Sequence, residues 1–134
     1  MDSFVLHERL AADTAFVADW GLSRVLLMND ARYPWLILVP RRGGLCELHD
    51  LKHAERMVLI EEISRASIGL KTLVDAPKIN VGALGNLVPQ LHIHIVARRV
   101  GDAAWPGPVW GQGVAQSYEA QALGDILGRL RAGL

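Results

Sequence analysis

One short stretch constrains this chain more than any other: Gln90-Leu91-His92-Ile93-His94-Ile95-Val96. Side chains of a β-strand alternate between faces, so Leu91, Ile93 and Ile95 fall on one side and Gln90, His92 and His94 on the other. The apolar side must be covered, which calls for helices packed on the sheet. Same-face neighbours lie about 7 Å apart at Cα, close enough for two imidazoles to converge on one small anion or metal ion. A face built from Gln and His alone is unlike the Thr, Lys, Glu and Ser mixture that solvates an exposed sheet. Spacing by itself also fits two half-satisfied histidines with no ligand between them.

The rest of the chain supplies the elements such a strand needs. At 134 residues, with no repeat or low-complexity linker, residues 1–134 form a single domain. Residues 3 to about 13 suit a short amphipathic helix. The apolar runs Arg24-Val-Leu-Leu-Met28 and Trp35-Leu-Ile-Leu-Val39 have strand length, and the polar, Pro-ended spacer between them predicts a hairpin. Asp50 is a candidate N-cap for a helix over residues 51 to about 74, with Leu59, Ile63, Ala66, Leu70 and Leu73 as its buried stripe. Glu55, Arg56, Glu61, Glu62 and Arg65 fill much of the other side. A strand over residues 78–81, a second over residues 88 to about 98, and a helix from Ser117 to about residue 131 complete the pattern. The class is α+β: an antiparallel sheet with one long helix packed on it and a C-terminal helix.

Composition excludes several roles. Lys plus Arg and Asp plus Glu both number 14, so the net charge is zero. Nucleic-acid coats and polybasic membrane anchors need an excess of positive charge. No apolar run approaches the roughly 20 residues of a bilayer span, and the first residues lack a leader's basic and apolar regions. Cys46 is the only cysteine, so no internal disulfide forms, and the expected compartment is the reducing cytoplasm.

The segment before the histidines adds a second feature. Asn80 ends one strand, and Gly82-Ala83-Leu84-Gly85-Asn86 follows. Gly82 and Gly85 permit a tight turn whose amides point inward, and such a cradle beside paired imidazoles suits a phosphate. A plain glycine turn between two strands fits the glycines equally well.

Val88-Pro89-Gln90-Leu91-His92-Ile93-His94-Ile95-Val96 with Arg98 resembles the signature of the histidine triad (HIT) family, in which three alternating histidines occupy one strand. Met28-Asn29-Asp30 and Trp35-Leu-Ile-Leu-Val-Pro40-Arg41 resemble that family's hairpin. Leu48-His49-Asp50-Leu51 resembles the start of its long helix, and Asn80-Val81-Gly82 its phosphate loop. The resemblance spans residues 25 to about 101 in the right order, and it implies an antiparallel sheet of about five strands. It implies hydrolysis or transfer at the α-phosphorus of a nucleotide through a nucleotidyl-histidine intermediate. His92 then matches the attacking histidine and His94 the residue that bonds phosphate and leaving group. Asn80 matches a phosphate-side residue and Asp30 a ribose contact, with Gly82, Gly85 and Asn86 in the loop. It also implies a homodimer, a small-molecule nucleotide as partner, and neither a redox cofactor nor an obligatory metal.

The chain departs from the pattern in three places. Gln90 stands at the first histidine, and a carboxamide cannot change its protonation. Leu87 stands where a hydroxyl residue is common, and Gly43 where a histidine often follows Pro-Lys. Two other readings therefore stand beside the enzyme: a nucleotide-binding protein without turnover, and a metalloprotein pairing His92 and His94 with His49 or His53. His7, His49 and His53 otherwise read as surface or capping residues, and Arg41 and Arg42 as a solvated strand end. One of Arg98 and Arg99 is expected to face a carboxylate at the edge of the core. Trp105 or Trp110, in the Gly- and Pro-rich segment 101–113, is expected at the dimer interface or the pocket rim.

Overall fold

A computed structural model describes residues 3–134; Met1 and Asp2, the start of the stretch read for a leader, lie outside the described residues. The elements run α1 (Glu8–Asp13), β1 (Thr14–Asp19), β2 (Ser23–Met28), β3 (Trp35–Pro40), a 3₁₀ turn (Leu48–Asp50), α2 (His53–Leu73), β4 (Lys78–Gly82), β5 (Ile93–Arg98) and α3 (Ala120–Gly133). The strands form one sheet in the order β1-β2-β3-β5-β4, every neighbouring pair antiparallel. This is the α+β architecture that the sequence predicts.

The two faces of the sheet carry two cores. On one, Val25, Leu27, Leu36, Leu38, Leu91, Ile93 and Ile95 pack with Leu59, Ala66 and Leu70 of α2 and Leu130 of α3. Leu91, Ile93 and Ile95 are the residues that the alternation selects, and Leu59, Ala66 and Leu70 belong to the predicted helical stripe; each fully buried Leu contributes about 1.5–3 kcal/mol. On the other face Leu26, Trp35, Ile37, Val39 and Val96 pack with Leu10, Tyr33, Val88 and Val109. The central strands β3 and β5 are buried along their whole lengths.

Several boundaries differ from the sequence-based expectation. The first helix is only six residues long, because Gln90 pairs with the extended backbone before it: its Nε2 donates to the Val5 carbonyl and its Oε1 accepts from the His7 amide, both at 2.8 Å. Thr14–Asp19 is an additional edge strand paired to β2, with an irregularity in register between Phe16 and Ala18. The long helix starts at His53 rather than Leu51. Asp50 does not cap it; its carboxylate accepts from the Cys46 and Glu47 amides of the preceding turn. The signature strand begins at Ile93, with Leu91 bonded through its amide to the Leu45 carbonyl. The last helix begins at Ala120 rather than Ser117.

Glu62 lies inside the protein rather than on the solvated side of α2. Its carboxylate accepts from the Leu22 and Ser23 amides at 3.0 Å each, which joins the helix to the β1–β2 turn. Glu62→Ala strips two buried amides of their acceptor, a loss of about 2–3 kcal/mol. Urea denaturation should show this as a lower midpoint with an unchanged slope.

Candidate active site

A cleft of 740 Å³ opens on the sheet face that carries the second core. His92, His94 and Trp35 form part of its floor, and Gly85, Asn86 and Val88 border it from the β4–β5 connection. Arg9 and Asp13 of α1, Asp30 and Arg32 of the hairpin loop, and Trp110, Gln112, Ala115 and Ser117 supply further walls. The alternation predicted for β5 holds: both imidazoles face the cleft while Leu91, Ile93 and Ile95 join the helical core.

Hydrogen bonds fix the tautomer of each histidine. The Gln90 carbonyl lies 2.7 Å from His92 Nδ1, and a carbonyl only accepts, so the proton sits on Nδ1 and Nε2 keeps its lone pair. His94 has the reverse arrangement. The Trp35 indole N–H donates to His94 Nδ1 at 3.0 Å, and an indole has no acceptor, so the His94 proton sits on Nε2. Burial, reinforced by the neighbouring His92, lowers the His94 pKa to about 3. His94 is thus a neutral hydrogen-bond donor at any physiological pH. The two rings meet edge to face with centroids 4.9 Å apart. The site therefore presents one free nitrogen lone pair beside one fixed N–H.

The other predicted residues divide into cleft and frame. Asp30, Gly85 and Asn86 line the cleft. Gly85 has φ +74°, the left-handed turn that its role in the loop requires. Asp30 is almost fully buried and already bonded: Arg32 donates to both carboxylate oxygens, and the Arg32 and Gln116 amides add to Oδ1. Burial alone would raise its pKa, but these donors outweigh burial and hold the carboxyl below the usual carboxylate range. Gly82 is the last residue of β4 rather than part of a turn. It sits in register with His94, and a Cβ there would lie 3.0 Å from the Trp110 ring. The missing side chain makes room for Trp110, whose ring lies 5.5 Å from that of His94.

Asn80 and Gln90 do not line the cleft. The Asn80 Oδ1 accepts from Arg98 Nη1 at 2.8 Å. Arg98, 2% exposed, also pairs with Asp102, as expected for one of the two arginines at the core edge. Gln90 spends both ends of its carboxamide on the N-terminal segment while its carbonyl holds His92. Arg41, read as a solvated strand end, donates to the Trp20 and Gly21 carbonyls. Trp110 lines the cleft of its own chain, whereas Trp105 packs under the Arg98 guanidinium.

Sequence reasoning missed Trp35, Arg9, Arg32, Gln112, Ala115 and Ser117 as parts of the site. An indole one strand away from a histidine leaves no local signature, since the β3–β5 register brings the two together. Among the described residues no three His, Cys, Asp or Glu side chains gather at a metal position, so His49 and His53 do not complete a ligand set with His92 and His94.

A family model described as the HIT domain matches residues 9–101. Three solved structures resemble the chain along nearly its whole length. A histidine triad protein from Bradyrhizobium japonicum is 48% identical, covers 98% of both chains and superposes with a TM-score of 0.95. A histidine triad protein from Marinobacter aquaeolei is 45% identical over 98% of this chain and 96% of its own, with a TM-score of 0.96. A histidine triad (HIT) protein from Sinorhizobium meliloti is 44% identical over 98% of this chain and 97% of its own, with a TM-score of 0.95. No curated protein matches the sequence.

Proposed function

The chain belongs to the histidine triad family, and we propose on that footing that it hydrolyses or transfers a nucleotide at the α-phosphorus, with His92 as the attacking group. The observation that carries this reading is the bond from His92 Nδ1–H to the Gln90 carbonyl. It leaves the Nε2 lone pair free at the cleft floor, as nucleophilic catalysis requires. The cleft volume of 740 Å³ falls within the range of about 300–1,000 Å³ typical of small-molecule sites.

In this reading His92 Nε2 attacks phosphorus and the bond to the leaving group breaks, giving a nucleotidyl-histidine. His94 Nε2–H, held by Trp35, donates to a phosphoryl oxygen, and the amides around Gly85 and Asn86 stabilise the charge that develops there. Water or another acceptor then displaces His92. The nucleoside lies along the cleft towards Trp110, with the Asp30–Arg32 pair at its far wall. Gly82 acts by admitting Trp110, Asn80 through its bond to Arg98, and Gln90 by aiming His92 and pinning the N-terminal segment.

A homodimer fits the exposed stripe Met57, Ile60 and Ile68 on α2 and the open edge of β4 at Val81. Sedimentation at micromolar concentration should give twice the monomer mass. Among the described residues no helix is long and apolar enough to cross a membrane. With its single cysteine, we place the protein in the cytoplasm.

The test is incubation with an adenosine phosphoramidate and, separately, with a dinucleoside polyphosphate. Catalytic release of nucleoside monophosphate is expected. Nucleotide binding without release would favour a binding protein, in keeping with a carboxamide at Gln90 that cannot relay protons.

A further inference from the structure

We propose that His49 is the proton carrier of this site, reaching the leaving group from a second, smaller cavity that shares His92 with the main cleft. The inference rests on the phosphoryl chemistry proposed above and begins from a count of available protons. His94 Nδ1 is occupied by the Trp35 indole N–H, so its ring has one proton to share in a hydrogen bond and none to give away. His92 commits its Nδ1–H to the Gln90 carbonyl and its lone pair to phosphorus. The Gln90 carboxamide cannot titrate and faces the N-terminal segment. Asp30 is held ionised by Arg32, and Asp13 is paired with Arg9. None of these delivers a proton to a departing amine.

The second cavity supplies what the cleft lacks. It measures 210 Å³. Leu84, Gly85 and His92 border both spaces, so His92 is reached from two directions. The larger space suits a nucleoside and the smaller a leaving group. Cys46, Glu47 and His49 line the smaller one. Asp50 Oδ1 lies 3.9 Å from His49 Nε2, an anion within reach of an imidazolium. Cys46, Glu47 and His92 are the other titratable neighbours that line this cavity, and the Glu47 carboxylate is engaged in a capping box with Asp50. Imidazole is the side chain that ordinarily exchanges protons between about pH 5 and pH 8.

The step balances as follows. His92 Nε2 bonds to phosphorus, the P–N bond to the leaving amine breaks, and the His49 imidazolium protonates that nitrogen, directly or through one water. A water then attacks phosphorus and gives a proton to neutral His49, while the electron pair of the P–N bond returns to His92. The products are the amine and a nucleoside monophosphate, and His49 is again protonated. A polyphosphate leaving group departs as a stable anion and needs no such proton.

Turnover of an alkylamine phosphoramidate and of a dinucleoside polyphosphate should be compared across pH in wild type, His49→Gln and His53→Gln. Relative to wild type, His49→Gln should lower kcat/KM for the amine substrate at least about tenfold more than for the polyphosphate. It should also remove the alkaline limb of the amine pH profile. His53→Gln, which changes an exposed residue outside both cavities, should leave the ratio and the profile unaltered. A wild-type ratio and an intact alkaline limb in His49→Gln would overturn the role of His49 alone. A wild-type protein inert towards both substrates would overturn this role together with the reading it rests on.

Discussion

His92→Ala is expected to lower nucleoside monophosphate release by about 10⁴-fold or more, with KM for the nucleotide within about threefold of wild type. Among the described residues, removing the imidazole removes the one nitrogen lone pair left free at the cleft floor, because the His94 Nδ1 lone pair is already taken by Trp35. Neither Gln90, turned to the N-terminal segment, nor Asp30, saturated by Arg32, can take its place. Nucleotide binding draws on the rest of a 740 Å³ cleft and should survive. Steady-state kinetics with a parallel calorimetric titration of the variant separates the two effects. Equal losses in binding and rate would mean that His92 holds the ligand without attacking it.

Asp102→Ala should cost about 3–5 kcal/mol of stability, a large part of the 5–15 kcal/mol typical of such a domain. Arg98 is buried at the end of β5 and gives Asp102 two bonds of 2.8 and 2.9 Å. Asp102 also caps the following turn through the Arg99, Ala104 and Trp105 amides. Deleting the carboxylate leaves a guanidinium without its counter-ion between Tyr33 and Trp105. The same pair sets an acid response. The bond from Arg98, aided by the Arg99 and Trp105 amides, lowers the Asp102 pKa to about 2 from 3.8 against some opposition from burial. A carboxyl depressed in the folded state stabilises at pH above its unfolded value, and that stability disappears as pH falls from 3.8 towards 2. The pair thus accounts for about 2 kcal/mol of the acid sensitivity. Chemical denaturation of wild type and Asp102→Ala at successive pH values should show the two stabilities converging in that window.

The sequence carries its own account of which parts could be read from it. The faces of β5 were legible because alternation is local: Leu91, Ile93 and Ile95 entered the core and both imidazoles faced the cleft. The α2 stripe was legible for the same reason, apart from Glu62, whose partners lie on a turn about 40 residues earlier. Strand β1 was hidden because Thr14–Asp19 is short and only partly apolar, and pairing to β2 makes it a strand. The short α1 has a non-local cause, since Gln90 lies 83 residues from His7. The tautomers of His92 and His94 depend on a carbonyl and an indole that no spacing rule connects to them.

The most direct test of the central claim is intact mass after rapid mixing with an excess of adenosine phosphoramidate and a quench in base, where a phosphorus–nitrogen bond to histidine survives. One adenylyl group per chain is predicted, located by peptide mapping on His92 and absent from His92→Ala. Rapid product formation with no such adduct, or the same adduct in His92→Ala, would contradict it.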